Sequence, residues 1–137
     1  MAAYVSFESY TKALAEKKLN LSTDSLKIAL VASANTPDPA TATKLADLVE
    51  IDYTFAGSRV ITSSTTFAAG QTTVTASPLT LTATGGDIGP FQYVVAYDDS
   101  SVDKDLIAMW DLGSVATILD GNSGTFTFAT GALQVIG

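Results

Sequence analysis

The residues in this chain that could do chemistry and that cluster are aspartates. Asp98, Asp99, Asp103 and Asp105 crowd into one short segment. Carboxylates at alternating positions are the donors a calcium ion takes. An EF-hand counted from Asp99 would need glycine at its sixth place and a bidentate glutamate at its twelfth; the chain has Lys104 and Trp110 there. The segment therefore reads as a solvated hairpin loop between a strand ending at Tyr97 and one starting near Leu106. Asp120-Gly121-Asn122-Ser123-Gly124 is a second acidic candidate, and its residues are those that tolerate positive φ in a turn. Glycosidase chemistry needs two facing carboxyl groups. Only three glutamates exist, and Glu8 and Glu16 fall in an N-terminal helix with nothing to pair them with an aspartate.

Other site types fare no better. Gly85-Gly86-Asp87-Ile88-Gly89-Pro90 has the glycines of a phosphate loop, but it lies between strands, no lysine or helix follows, and Asp87 would repel phosphate. The chain has no histidine and no cysteine. Disulfides, thiol nucleophiles, zinc sites and imidazole proton shuttles are thereby excluded. The many serines have no base partner. The expectation is a protein that is not an enzyme, with no catalytic residue, cofactor or metal. Phe91, Tyr93, Tyr97 and Trp110 could line a sugar-binding surface, but aromatic residues in strands are more often core. Tyr97, at a strand end, is the least committed of them.

The elements that would position these residues are mostly strands. Phe7, Tyr10 and Leu14 recur at helical spacing, with Ser6 as a cap, Lys17 and Lys18 at the far end and Asn20 as a stop. So short a helix needs something to pack on. Residues 1–20 are read as a helical arm, with Tyr4, Phe7, Tyr10 and Leu14 as candidate partner contacts; packing of the helix on its own domain is the equal alternative. From Leu26 the period becomes two: Leu26, Ile28 and Leu30 alternate with Lys27, Ala29 and Val31. Residues 35–39 are a turn-rich break, and residues 44–51 fit either a helical turn or a strand.

Further strands are predicted over 59–63, 72–76, 79–84, 91–97, 106–112, 125–129 and 133–136. Gly85 and Gly86 open a loop that Gly89 and Pro90 close. In the aromatic strand, Phe91, Tyr93, Val95 and Tyr97 share a face opposite Val94 and Ala96. Short strands at roughly ten-residue spacing, joined by Gly, Pro and Asp turns, predict one all-β domain over 1–137, an antiparallel β-sandwich (jelly-roll-like or Ig-like) with a short N-terminal helix. The expected core is Leu26, Ile28, Leu30, Leu81, Phe91, Tyr93, Val95 and Ile107.

Composition narrows the partners. Acidic residues outnumber basic ones by fourteen to seven, a net charge of −7 on 137 residues. Nucleic-acid binding is not expected without a basic patch. No stretch nears the roughly 18 apolar residues that span a bilayer, and Met1–Lys12 lacks the pattern of a secretory signal. A soluble protein made in the cytoplasm is the expectation. Thr and Ser make up nearly a quarter of the chain, which suits the exposed faces of strands.

The order of segments resembles a family of small virion structural proteins of tailed bacteriophages. The resemblance lies in Phe7-Glu8-Ser9-Tyr10 and Asp24 to Leu30, then Leu81 to Gly86, Ile88 to Asp98, Leu106 to Gly113, and a closing strand pair around Gly121 to Val135. It covers nearly the whole chain, and its most specific part is the glycine turn into an aromatic strand followed by the Trp110-Asp111 strand. It implies a capsid decoration (cement) protein, or else a tail-tube, neck or fibre-associated component. It brings no catalytic residue. The implied partners are the major capsid protein or other virion proteins, and further copies of the chain as a trimer or dimer. A carbohydrate-binding β-sandwich module using Tyr97, Trp110 or the acidic loop is the reading from another class.

Overall fold

The computed structural model describes residues 3–16, 24–128 and 134–136. It is all-β with antiparallel pairing, as the two-residue period predicts. The strands are β1 (Ala3–Ser6), β2 (Leu26–Val31), β3 (Val60–Ile61), β4 (Ser63–Ala68), β5 (Gln71–Ala76), β6 (Leu79–Thr82), β7 (Ile88–Asp98), β8 (Leu106–Ile118), β9 (Ser123–Phe126) and β10 (Gln134–Ile136), with one helix, α1 (Glu8–Ala15). They form a five-stranded sheet in the order β1-β8-β7-β2-β3, a three-stranded sheet β10-β5-β4 and a two-stranded sheet β6-β9.

β2 and β7 sit inside the large sheet, and their apolar runs are buried on both faces. One face carries Leu26, Ile28, Leu30, Val94 and Ala96, and on it pack Tyr10 and Ala13 of α1, Val74 and Ala76 of β5, Leu79 and Leu81 of β6, and Phe126. The opposite face carries Ala29, Val31, Tyr93, Val95 and Tyr97, closed by Phe7, Ala42, Leu45 and Leu48. A long connection, rather than a second sheet, covers this face. Fully burying an aliphatic side chain contributes roughly 1.5–3 kcal/mol, so two covered faces explain why the central strands need almost no polar positions.

All eight expected core residues are buried, but they divide between the two faces. Phe91 departs from the predicted stripe. It packs on the face of Val94, 6.0 Å from the Phe126 ring, while Tyr93, Val95 and Tyr97 line the other. The cause is register. Phe91 lies opposite Ala116 and Tyr93 opposite Asp111, so Gln92 faces an excursion of β8 from Leu112 to Val115. The excursion turns at Gly113 (φ 80°), where Asp111 Oδ1 accepts the Gly113 N–H at 2.8 Å. A bulge of this kind restarts the alternation of faces.

The ends of elements differ from the sequence reading in physical ways. Residues 3–6 are not helical: β1 pairs antiparallel with β8, Tyr4 opposite Trp110. The helix begins at Glu8, after the chain has turned at Phe7, whose N–H donates to the Ile107 carbonyl at 3.1 Å. β7 begins at Ile88, so Gly89 and Pro90 belong to the strand rather than to the loop before it. Thr-rich β4 carries no alternation to betray it, being exposed almost throughout. Residues 44–51 form a single 3-10 turn, Leu45–Asp47, flanked by bridges from Lys44 to Asp105 and from Glu50 to Val31. Residues 129 and 133, expected in the last two strands, and residues 17–20 of the arm lie outside the described residues.

Candidate functional site

The acidic segment sits where β7 turns into β8, as predicted, but it is not simply solvated. Asp98 is fully buried and Asp105 is 8% exposed. The period of two explains Asp98: it continues the inward face of Val94 and Ala96 and pairs with Leu26 across the ladder. A buried carboxylate must find donors. Asp98 Oδ1 accepts the N–H groups of Ser100 and Ser101 at 2.9 and 3.2 Å, and Ser101 Oγ donates to the Asp98 carbonyl while accepting the Asp105 N–H at 2.9 Å. No hydrogen-bond donor of the described residues reaches Asp98 Oδ2. The Asp98 carboxyl also meets that of Asp24. Burial first, and the Asp24 carboxyl second, push Asp98 up to about 7, against the pull of the two serine N–H groups. Two carboxyl groups in contact can bond only through a shared proton.

Its neighbour Asp99 behaves in the opposite way. It faces Lys104 Nζ at 2.8 Å and Lys27 Nζ at 3.2 Å. The Lys104 hydrogen bond, with help from Lys27, holds its carboxyl below the usual range. Lys104 itself adopts φ 53°, so the turn depends on one residue in the left-handed region and one ion pair. Asp103 is exposed at the loop tip.

The remaining aspartates follow the same logic of capping loops. Asp38 accepts the Ala40 N–H, Asp52 that of Thr54, and Asp47 those of Thr43 and Lys44. Hydrogen bonds to the charged form lower the carboxyl pKa of Asp47, Asp52 and Asp111. Asp87 accepts the Asp120 N–H, and Asp120 accepts that of Gly85, so the glycine loop and the second acidic loop are tied to each other. Both expected turns are thus structural partners, which the linear sequence does not reveal. Among the described residues, no group of three or more His, Cys, Asp or Glu is placed to hold a metal ion.

One further cluster went unnoticed in the sequence. The Tyr53 hydroxyl accepts the Leu30 N–H at 2.7 Å and donates to Glu50 Oε1 at 2.9 Å. Arg59 lies 3.7 Å above the Tyr53 ring, donates to the Ile28 carbonyl at 2.7 Å and faces Glu50 at 3.6 Å. Burial raises the Tyr53 phenol far from neutrality. The cluster therefore latches residues 50–59 onto β2 and is not poised for proton transfer. A carboxylate, a tyrosine and an arginine spread over ten residues carry no recognisable spacing, so no sequence signal marked them.

The aromatic candidates are core. Phe91, Tyr97 and Trp110 are each 2% exposed and Tyr93 is 7% exposed; the Trp110 ring lies 4.9 Å from Phe128. Tyr97 and Trp110 cannot stack on a sugar without unfolding the sheet, which corrects the residues assigned to a carbohydrate module. Two of the four candidate partner contacts are corrected too. Phe7 and Tyr10 are 1% and 3% exposed and belong to the domain's own core. The side chains of Tyr4 and Leu14 lie outside the described part. One open cleft, about 560 Å3, is lined by Thr36, Asp38, Asp47 and Val49, whose two carboxylates already cap loops. A second, about 320 Å3 and mainly apolar, lies between Phe91, Leu112, Ile118 and Phe126. No described helix is long and apolar enough to cross a membrane. In comparisons with known proteins, no family model, no curated protein and no solved structure matches the chain.

Proposed function

We infer that this chain is a non-enzymatic structural protein of a tailed-phage virion, and within the virion a decoration (cement) protein of the head shell. The observation that carries the reading is the sequence resemblance, whose most specific segments are β7 and β8, the pair at the centre of the fold. The use of aspartates as loop caps supports it, since it accounts for an acidic composition without invoking catalysis. A decoration protein acts by mass action: a partner that binds only the assembled shell stabilises that shell. The major capsid protein is the proposed partner. With Phe7 and Tyr10 buried, the contact falls to exposed strands and loops rather than to a helical arm.

The test mixes purified protein with undecorated, expanded heads of the phage that encodes it and counts bound copies after sedimentation. Saturable binding of many copies per head, with poor binding to unexpanded shells, is the expected result. Failure of a well-folded sample to co-sediment at saturation would overturn the head assignment and leave a tail-tube, neck or fibre position.

A further inference from the structure

A third open cleft, about 410 Å3, is lined by Phe55 and Gly57 on one side and by Thr80, Thr82 and Thr84 on the other. None of its lining residues is charged, on a chain whose net charge is −7. The threonine side follows from strand alternation. β6 buries Leu79 and Leu81 and exposes Thr80 and Thr82. Pairing runs on past the end of the strand: the Ala83 N–H donates to the Asn122 carbonyl at 3.0 Å, and the Ala83 carbonyl accepts the Gly121 N–H at 2.8 Å. Ala83 is therefore buried, and Thr84 is exposed on the face of Thr80 and Thr82.

Across the β6–β9 ladder Thr80 faces Thr125 and Thr82 faces Ser123. Their hydroxyl oxygens lie 3.0 and 2.7 Å apart. A hydroxyl has one donor and two acceptor lone pairs, so each pair bonded to itself still offers one O–H and three lone pairs. Phe55 opposite is 37% exposed and held in place. Its carbonyl accepts the Thr84 N–H at 3.2 Å, and the Ala56 N–H closes a turn on the Tyr53 carbonyl at 3.0 Å. The ring lies across the backbone of Gly85 and Gly86. A Cβ added at Gly86 would run into one edge of the ring, and one added at Gly85 would touch Cδ1 on the other edge at 3.6 Å. Gly85 is itself anchored, its N–H donating to Asp120 Oδ1 at 3.0 Å. The two glycines let bare backbone support the ring from behind, and the exposed part of the ring belongs to the cleft.

We propose that this cleft binds a neutral saccharide, with a pyranose stacked on Phe55 and its hydroxyl groups on Thr80, Thr82 and Thr84. The face of an aromatic ring is the negative side of its quadrupole, which attracts the polarised C–H groups on the flat face of a sugar. Sugar hydroxyls donate and accept, as threonine hydroxyls do. Hydroxyls already bonded to one another are polarised, which strengthens the next bond in the chain. Charge narrows the occupant. Phosphate, sulfate and carboxylate ligands find no cation in the lining, and a −7 chain repels them. A cation finds no carboxylate there, and a purely apolar ligand would leave the hydroxyls unmatched. The residues are not those first considered for a carbohydrate module, Tyr97 and Trp110, which are core. The site goes beyond the virion reading, and neither test decides the other.

The test follows backbone amide resonances of the full chain during titration with cellotetraose, chitotetraose and maltotetraose, and with a heparin tetrasaccharide as the anionic counterpart. At least one neutral tetrasaccharide should shift the amides of Phe55, Thr84 and Gly86 and saturate with a Kd of about 1 mM or below. The heparin tetrasaccharide should leave them unmoved. Phe55→Ala should weaken binding about tenfold or more, and Thr82→Val, which exchanges a hydroxyl for a methyl at an exposed strand position, about threefold or more. Phe55→Tyr keeps the ring and should bind within about threefold of the native chain. No saturable shift with any of the three neutral sugars at about 10 mM would overturn the proposal. So would shifts centred away from Phe55 and β6, an equal response to the heparin tetrasaccharide, or native affinity in both Phe55→Ala and Thr82→Val. If Phe55→Ala disturbs the fold, Thr82→Val and Phe55→Tyr decide.

Discussion

β7 and the β4–β5 hairpin are both strands of branched and aromatic residues, yet they are opposite kinds of structure. β7 is buried on both faces from Tyr93 to Asp98 and enclosed by neighbours on both edges. β4 is exposed on both faces and open along one edge. Propensity makes both of them strands. The difference lies in what the rest of the chain brings to them. Ala42, Leu45 and Leu48, far from β7 in sequence, close its second face, and nothing comparable reaches β4 among the described residues. Charge follows the same division. Aspartates cap the loops at the ends of the buried strands, while the hairpin carries none.

The sharpest way to break this comparison is to truncate a large side chain in each region. Phe91→Ala should destabilise the chain by about 3–5 kcal/mol, the usual cost of removing a buried phenylalanine. Phe67→Ala should stay within about 0.5 kcal/mol, as exposed substitutions do. Urea unfolding measures both, and similar losses would erase the distinction. Gly89→Ala comes next. Gly89 adopts φ 120°, and an added Cβ would meet the Ala116 carbonyl oxygen at 3.0 Å. A loss above about 1 kcal/mol is expected where the backbone conformation is incompatible with alanine. A neutral result would mean that β7 can shift against β8.

The pH dependence sharpens the comparison at the acidic turn. Asp98 is raised to about 7 in the folded chain, against about 3.9 for an unfolded aspartate. The folded state then binds the extra proton between those values, so this contribution to stability is full below about pH 4 and is lost as pH rises through 7. Asp99, Asp47, Asp52 and Asp111 are lowered and act in the opposite sense, contributing above about pH 4 and losing their effect in more acid solution. Melting temperature should therefore fall from pH 5 to pH 8 in the native chain. Asp98→Asn should flatten that slope, because an amide keeps the acceptor for Ser100 and Ser101 and supplies a donor for Asp24 without titrating. An unchanged slope would place the proton elsewhere. The smallest effect is expected at the turn between β4 and β5, where Ala69 adopts φ 53°: Ala69→Gly should stabilise the chain by up to about 1 kcal/mol, since alanine at positive φ is strained. A loss on thermal melting would contradict that assignment.

Much of the fold was legible because two-residue alternation survives wherever one face is buried. β2 has the predicted bounds, and β5, β6 and β7 lie within a few residues of theirs. Three features were hidden for separate reasons. Ala3–Ser6 pairs with β8 at a distance no local pattern encodes. β4 has no buried face and hence no alternation. The Phe91 stripe broke at an excursion in β8, where Gly113 was the visible hint. At the acidic turn the strand period already pointed Asp98 inward; its contact with Asp24, from the far side of the sheet in sequence, was not readable.

Residue-resolved amide hydrogen exchange tests the contrast between enclosed and open strands most directly. The Thr62 carbonyl accepts the Ser77 N–H, and inward and outward groups alternate along an antiparallel ladder, so Ser64 and Thr66 turn their N–H groups toward β5 and Thr65 and Phe67 turn theirs away. The amides of Val94, Val95 and Ala96 should be strongly protected, those of Ser64 and Thr66 protected to a lesser degree, and those of Thr65 and Phe67 should exchange fastest. Protection of Thr65 and Phe67 equal to that of Val94 and Val95 would contradict the contrast.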